Sequence, residues 1–268
     1  MPKLLSQDAV DAYRRDGVIW PIRVMSPLEA GEYRGQLESY EAQSGHPLKG
    51  AWRHKTHLLF SWADSLVHHA KVVDAVEDIL GPNILCWTTN LFTKEARHPG
   101  YVSWHQDATY WGLDPHDVVT AWVALTEVNR ENGYMQVIPG SHTTDQLPHL
   151  ETYHKENLLT RGQEISVEVD KTKAVGLALH AGEMSLHHIK LIHGSEPNAS
   201  DDRRIGLAIR YIPTYVRQTK KVDSATLVRG TDEFHHFDHE PRPCANLDPA
   251  AVAAHDAAMA WMKGTRLA

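Results

Sequence analysis

Two short segments hold the residues with the clearest chemical potential: Trp104-His105-Gln106-Asp107, and Ile192-His193-Gly194-Ser195 with Arg204 eleven positions beyond His193. A His-x-Asp pair completed by a distant His supplies two imidazoles and one carboxylate, a facial set that leaves three coordination positions open for an oxidant and a co-substrate. Alternate residues of a strand project from one face, so His105 and Asp107 are expected to reach one ion while Gln106 points away. His193 must then arrive from another strand. The mixture of hard carboxylate and borderline imidazole suits Fe(II), although zinc accepts the same donors. Alone, a His-x-Asp is a weak signal in a chain with 19 histidines.

Positioning these groups requires a scaffold, and the local patterns change character along the chain. The first eighty residues read helical. Ser6 is placed to cap a helix ending near Gly17, and Ser26-Pro27-Leu28-Glu29 combines an N-cap, a proline at the first helical position and a glutamate three residues on. A third helix fits Asp64 to Leu80, stopped by Gly81-Pro82. From Ile84 onward, short runs rich in Val, Ile, Thr, Tyr and Trp alternate with Pro, Gly, Asn and Asp clusters, which are strand and turn signals. The run Val118 to Leu125 is apolar on both faces and should be covered on both sides. The expected fold is mainly β with flanking helices: a double-stranded β-helix, or cupin-like jelly roll, with the N-terminal helices packed on one sheet. A single domain over 1–268 is expected, with a helical part at 1–82, a jelly-roll part at 83–220 and a C-terminal extension at 221–268.

Composition excludes several classes. A formal net charge of -7 argues against a nucleic-acid or anionic-lipid partner. With no apolar run of about 18 residues and no leader-like start, the sequence reads as cytoplasmic, without a membrane partner. Cys86 and Cys244 form no CxxC pair, which suggests neither a disulfide framework nor a thiolate zinc site. The glycine-rich and basic motifs of nucleotide sites are absent.

The stretches Trp104 to Asp107, Thr120-Ala121-Trp122, Glu131 to His142 (ENGYMQVIPGSH) and His193-Gly194-Ser195 with Arg204, in that order, resemble the phytanoyl-CoA dioxygenase family of iron and 2-oxoglutarate oxygenases. The likeness runs from about Ile84 to Pro213. It implies iron ligands His105, Asp107 and His193, with Arg204 pairing the distal carboxylate of 2-oxoglutarate through two parallel hydrogen bonds that a lysine could not reproduce. It further implies Fe(II), 2-oxoglutarate and O2 as cofactors, with ascorbate as the reductant in vitro. Ser195 looks like a hydroxyl donor to 2-oxoglutarate and Trp122 like a ring bordering it. Related halogenases carry a small residue at the carboxylate position, so Asp107 favours hydroxylation.

Outside the resemblance, Thr88 is a candidate polar contact to the co-substrate from the preceding strand. Arg203, of opposite parity to Arg204, is expected to face solvent. Arg210 shares the parity of Arg204 but lies roughly 20 Å further along a strand, too far for the same carboxylate, and reads as a structural or rim residue. His187 and His188 are second-shell possibilities, whereas His68-His69 on a helix cannot share a metal and His235-His236 belong to a solvated loop. Thr109 and Trp111 share the inward parity of His105 if that strand continues. With Asn90 and Gln136 they form the candidate substrate set, which suggests a small polar metabolite such as an amine, amino acid or phosphonate. The alternatives are a metal-dependent hydrolase or isomerase on a cupin-like barrel, for which Arg204 would be unnecessary, and a non-catalytic binding protein. Oligomeric state, and closure of the segment Leu147 to Gln163 over the site, are left open.

Overall fold

A computed structural model describes residues 2–264. Helix α1 (Gln7–Asp16) starts where Ser6 accepts a hydrogen bond from the Ala9 amide and ends at Gly17, whose φ of 73° suits glycine. Helix α2 (Pro27–Ser44) is capped by Ser26, which accepts from the Glu29 amide. The single helix expected over 64–80 is instead two, α4 (Ser61–Val67) and α5 (Ala70–Leu80), preceded by the short α3 (Thr56–Leu59). His69 breaks the run by taking an extended backbone at φ −60° and ψ 123°.

The helical expectation for the first eighty residues also missed a strand, β1 (Val18–Arg23). Pro21 obscured it, yet β1 is an edge strand, where a missing amide hydrogen is tolerated. Further strands are β2 (Ile84–Lys94), β3 (Val102–His105), β4 (Val119–Ala124), β5 (Gln136–Val137), β6 (Val175–Gly176), β7 (Glu183–His188), β8 (His193–Ser195), β9 (Arg204–Pro213), β10 (Ser224–Arg229) and β11 (Asp238–His239). They build a seven-stranded sheet ordered β1-β7-β4-β9-β2-β10-β11 and a four-stranded sheet ordered β3-β8-β5-β6. Pairing is antiparallel except between β10 and β11. This is the jelly roll the patterning predicts, mainly β with helices on one sheet.

One face of the large sheet, carrying Leu91, Val123, Leu207 and Ile209, is buried with Phe60, Leu66, Val72 and Val76 of the helical layer. Its other face lines the barrel, where Trp122, Ala124 and Ala208 pack with Phe92 and Tyr134. Strand β4 is therefore buried along its whole length, as its two-sided apolar pattern requires. Each fully buried Leu, Ile or Val contributes about 1.5–3 kcal/mol.

The segment after residue 221 is no mere appendage. Strand β10 pairs with β2, and helix α7 (Pro249–Gly264) follows. The stretch Asp232 to Glu240, read as a solvated loop, exposes His235 and His236 but buries Phe237 and Glu240. Glu240 is an internal counter-ion: it pairs with Lys55 and accepts from Ser224 and Thr226 at 2.7 and 2.8 Å, while His57 lies 3.2 Å away. No helix of the described residues is long and apolar enough to cross a membrane.

Candidate metal centre and anion cradle

Strands β3 and β8 pair so that His105 stands directly opposite His193. The two imidazoles approach to 4.1 Å between centroids, and their Nδ1 atoms donate to the carbonyls of Ser103 and Leu191, each at 2.9 Å. Those bonds fix the tautomer that leaves both Nε2 lone pairs for a metal. Asp107 completes the group, its Oδ1 3.4 Å from His105 Nε2. The donor atoms of His105, Asp107 and His193 all lie within 4.8 Å of one another, and all three residues are buried. They are the only such cluster of three His, Cys, Asp or Glu among the described residues.

The route to this geometry differs from simple strand alternation. Strand β3 ends at His105, and Asp107 sits in helical backbone at φ −65° and ψ −33°, leading into the short helix α6 (Ala108–Trp111). Gln106 does point away: its side chain donates to the Lys190 carbonyl and accepts from Gln146 and the Leu147 amide, each at 2.9 Å. Gln106 thus ties the start of the segment Leu147 to Gln163 to the metal centre. His149 adds to this, accepting from the Gln106 amide at 3.0 Å.

Burial would raise the Asp107 carboxyl, but the close His105 ring and the fields of His193 and Arg210 hold it well below the usual carboxylate range. Burial, reinforced by His105, pushes His193 down to about 4. At neutral pH the site therefore offers a charged carboxylate and a neutral His193, the forms that bind a cation. The set contains no thiolate, and it fits Fe(II).

On the facing sheet, Arg204 of β9 stands opposite Lys94 of β2. The Arg204 guanidinium lies 5.2 Å from the Trp122 ring, donates through Nη1 to the Gly133 carbonyl at 2.6 Å, and buries an Nε with no partner. Lys94 is 1% exposed and donates to Ser195 Oγ at 2.7 Å and to the carbonyls of Glu196 and Gly133. Gly206 makes room for the tryptophan: a Cβ there would fall 2.1 Å from the Trp122 ring. Burial lowers Arg204 to about 10, and burial with the Arg204 charge lowers Lys94 to about 6. Two buried basic groups and a hydroxyl, with no carboxylate paired to either base among the described residues, form a cradle for an anion.

The remaining candidates scatter. Arg203 does lie on the opposite face from Arg204, but it is not solvated: α2 covers it, and it pairs with Glu41 at 2.6 Å and Glu95 at 2.8 Å. Thr88 stands opposite Arg210, six residues along β9 from Arg204. Asn90 faces the barrel and contacts His54 Nδ1 at 3.1 Å. Gln136 pairs with Gly194 rather than His193, which turns it to the outer face. Thr109 and Trp111 belong to α6, not to a continued strand: Thr109 lies 3.2 Å from His149 Nδ1, and Trp111 packs 5.1 Å from Trp87 and 5.1 Å from the Arg210 guanidinium. His187 is buried 5.3 Å from His193, while His188 packs on His142.

Lys94 escaped the sequence reading, and Arg210 was read there only as a structural or rim residue. Arg210 is no rim residue: it is buried and acts on the Asp107 charge. Both share a face with residues already singled out, Lys94 four positions beyond Asn90 on β2 and Arg210 six beyond Arg204 on β9, so strand parity was a usable signal.

The family model for phytanoyl-CoA dioxygenase (PhyH) matches residues 13–206. A probable alpha-ketoglutarate-dependent hypophosphite dioxygenase from Stutzerimonas stutzeri is 34% identical over 64% of this chain and 60% of its own length. The peroxisomal phytanoyl-CoA dioxygenase of Homo sapiens is 31% identical over 53% of this chain and 43% of its own. The match thus spans about half the length of these curated relatives. Among solved structures, the non-heme monooxygenase ThoJ without ligand superposes at a TM-score of 0.84, with 39% identity, covering 94% of this chain and 95% of that one. With the matched segment, the neighbouring fold and the His105, Asp107 and His193 cluster in agreement, the chain belongs to the phytanoyl-CoA dioxygenase (PhyH) family.

Proposed function

We propose that this protein is an Fe(II)- and 2-oxoglutarate-dependent dioxygenase that hydroxylates an unactivated C–H bond of a small polar metabolite of the amine, amino-acid or phosphonate type. The observation that carries this reading is the pairing of a two-His, one-carboxylate cluster with a buried Arg204-Lys94-Ser195 cradle on the facing sheet. A hydrolase or isomerase built on the same three ligands has no use for two buried bases at that position. The hypophosphite relative supports a small substrate.

His105, Asp107 and His193 would hold the iron, and Arg204, Ser195 and Lys94 the distal carboxylate of 2-oxoglutarate. Bound iron with 2-oxoglutarate and O2 supplies the oxidising power, and the balance is R–H + 2-oxoglutarate + O2 giving R–OH, succinate and CO2. The chain's own work is placement. The planar Arg204 guanidinium, stacked on Trp122 and pinned to Gly133, is preorganised to take a carboxylate edge-on. Ser103 and Leu191 orient the imidazoles, and Asp107 keeps its charge without drawing a proton from solvent. His105 and His193 are 2% and 8% exposed, which shields both imidazoles from bulk water.

The test is succinate formation from 2-oxoglutarate with Fe(II) and ascorbate in air, with and without a panel of small polar metabolites. Turnover stimulated by a panel member is expected. A protein that binds Fe(II) yet makes no succinate with any member would move the assignment to the hydrolase or binding reading.

A further inference from the structure

Arg210 lies six residues beyond Arg204 on β9 and faces the same interior, with Thr88 and Thr120 as its cross-strand neighbours. It is 6% exposed. Its guanidinium is walled by two rings, 5.1 Å from Trp111 and 5.9 Å from Phe92, and its Nε and Nη1 are buried with no hydrogen-bond partner. Further buried polar atoms without partners stand on the next two strands: Thr120 Oγ1 on β4, and Ser185 Oγ and His187 Nδ1 on β7. Register brings them together, His187 beside Thr120 and Ser185 beside Trp122. Buried polar atoms are otherwise nearly always paired, so such a concentration marks a place built for a polar guest.

Charge identifies the guest. In the dioxygenase reading, a metal dication is balanced by Asp107 and the near carboxylate of the co-substrate, and the distal carboxylate is balanced by Arg204. The nearby Asp107 charge is thereby committed, and Arg210 is left without a counter-charge in the barrel. Buried cations require one.

We infer that Arg210 is the substrate-recognition residue of this site and that the substrate carries an oxyanion, a carboxylate or phosphonate, taken by the guanidinium between Trp111 and Phe92. This rests on the dioxygenase reading for the placement of the two ligands. A planar fork with two open N–H donors matches such a group, and a neutral amide of the same shape offers poorer complementarity.

The test is calorimetric titration of the protein loaded with Fe(II) and saturating 2-oxoglutarate under nitrogen, using methylphosphonate, propionate and the neutral isostere propionamide. Both anions are expected to bind and the amide to bind on the order of tenfold or more weaker. Arg210→Gln should weaken the anions by about ten- to hundredfold, with part of the loss recovered in Arg210→Lys. Equal binding of propionate and propionamide by the unaltered protein, or unchanged anion affinity in Arg210→Gln, overturns the assignment. So does displacement of the anion by excess 2-oxoglutarate, which would make Arg210 part of the co-substrate site. Succinate formation by the same preparation is read separately. Succinate without anion preference removes only the role of Arg210, whereas anion preference without succinate removes the dioxygenase reading and leaves the anion site in place.

Discussion

Lys94 makes the proposed co-substrate cradle sensitive to pH in a way that can be worked out beforehand. Burial and the neighbouring Arg204 bring its ammonium down to about 6 in the free protein, so at pH 7 to 8 it is largely a neutral amine, whose two N–H groups serve two of its three acceptors. A carboxylate bound beside it favours the charged form and raises that pKa, and binding of 2-oxoglutarate must then take up a proton. Above pH 6 the affinity falls as pH rises, by up to about tenfold per unit, until the pKa of the bound state is reached. His193, lowered to about 4, has already lost its proton in this range and adds no slope. The assay is calorimetry at several pH values in two buffers of different ionisation enthalpy, which reports proton uptake directly. Lys94→Met should abolish the uptake, weakening binding most near pH 6 and little at high pH. The same shift bears on stability: a folded-state pKa depressed below the ordinary 10.5 means the proton is shed on folding, so the free protein loses stability as pH falls from 10.5 toward 6. Lys94→Met should therefore raise the melting temperature of the free protein at neutral pH. Binding that takes up no proton, or a pH slope that survives in Lys94→Met, would refute the reasoning.

Three further outcomes follow from the geometry. Arg204→Lys keeps a charge but loses the fork and the stack on Trp122, and should weaken 2-oxoglutarate by on the order of tenfold or more in an equilibrium titration, with little change in Fe(II) affinity. Gly206→Ala puts a Cβ 2.1 Å from the Trp122 ring; an overpacking cost of about 1–3 kcal/mol is expected in denaturant unfolding, with weaker 2-oxoglutarate binding as the ring shifts. Lys55→Met leaves Glu240 buried without its cation and should cost about 3–5 kcal/mol. Glu240 is held well below its ordinary value, so the stability it contributes is present above the ordinary carboxylate range and lost as pH falls through acid. Replacing Glu240 as well, in Lys55→Met/Glu240→Leu, should recover part of that loss.

The sequence disclosed the site better than it disclosed the path to it. His105, Asp107 and His193 could be found because metal ligation restricts residue type and spacing, and Ser6, Ser26 and Gly17 because capping chemistry is local. Strand β1 was hidden by Pro21, since a sequence does not say which strand will lie at an edge. Thr109 and Trp111 were placed by extending β3, whereas the chain turns into α6 at Asp107; Trp111 still reaches the Arg210 guanidinium, by another route. Arg203, Glu240 and Arg210 share one cause of error. Arg203 and Glu240 were assigned to solvent and Arg210 to a structural or rim role, but Arg203 meets Glu41 and Glu95 under α2, Glu240 meets Lys55 185 residues away in sequence, and Arg210 meets two aromatic rings. Burial of a charge depends on its distant partner, which local pattern does not contain. Lys94 was missed because Lys is seldom fully buried, although its parity on β2 already pointed inward.

The most direct test of the central claim is an anaerobic titration of the Fe(II)-loaded protein with 2-oxoglutarate, followed by the visible charge-transfer absorption of the iron chelate. The account predicts a band that saturates at one 2-oxoglutarate per chain, is absent in His105→Ala and His193→Ala, and requires higher 2-oxoglutarate in Arg204→Ala. Iron bound with no such band, or a band that persists unchanged in the histidine variants, would contradict it.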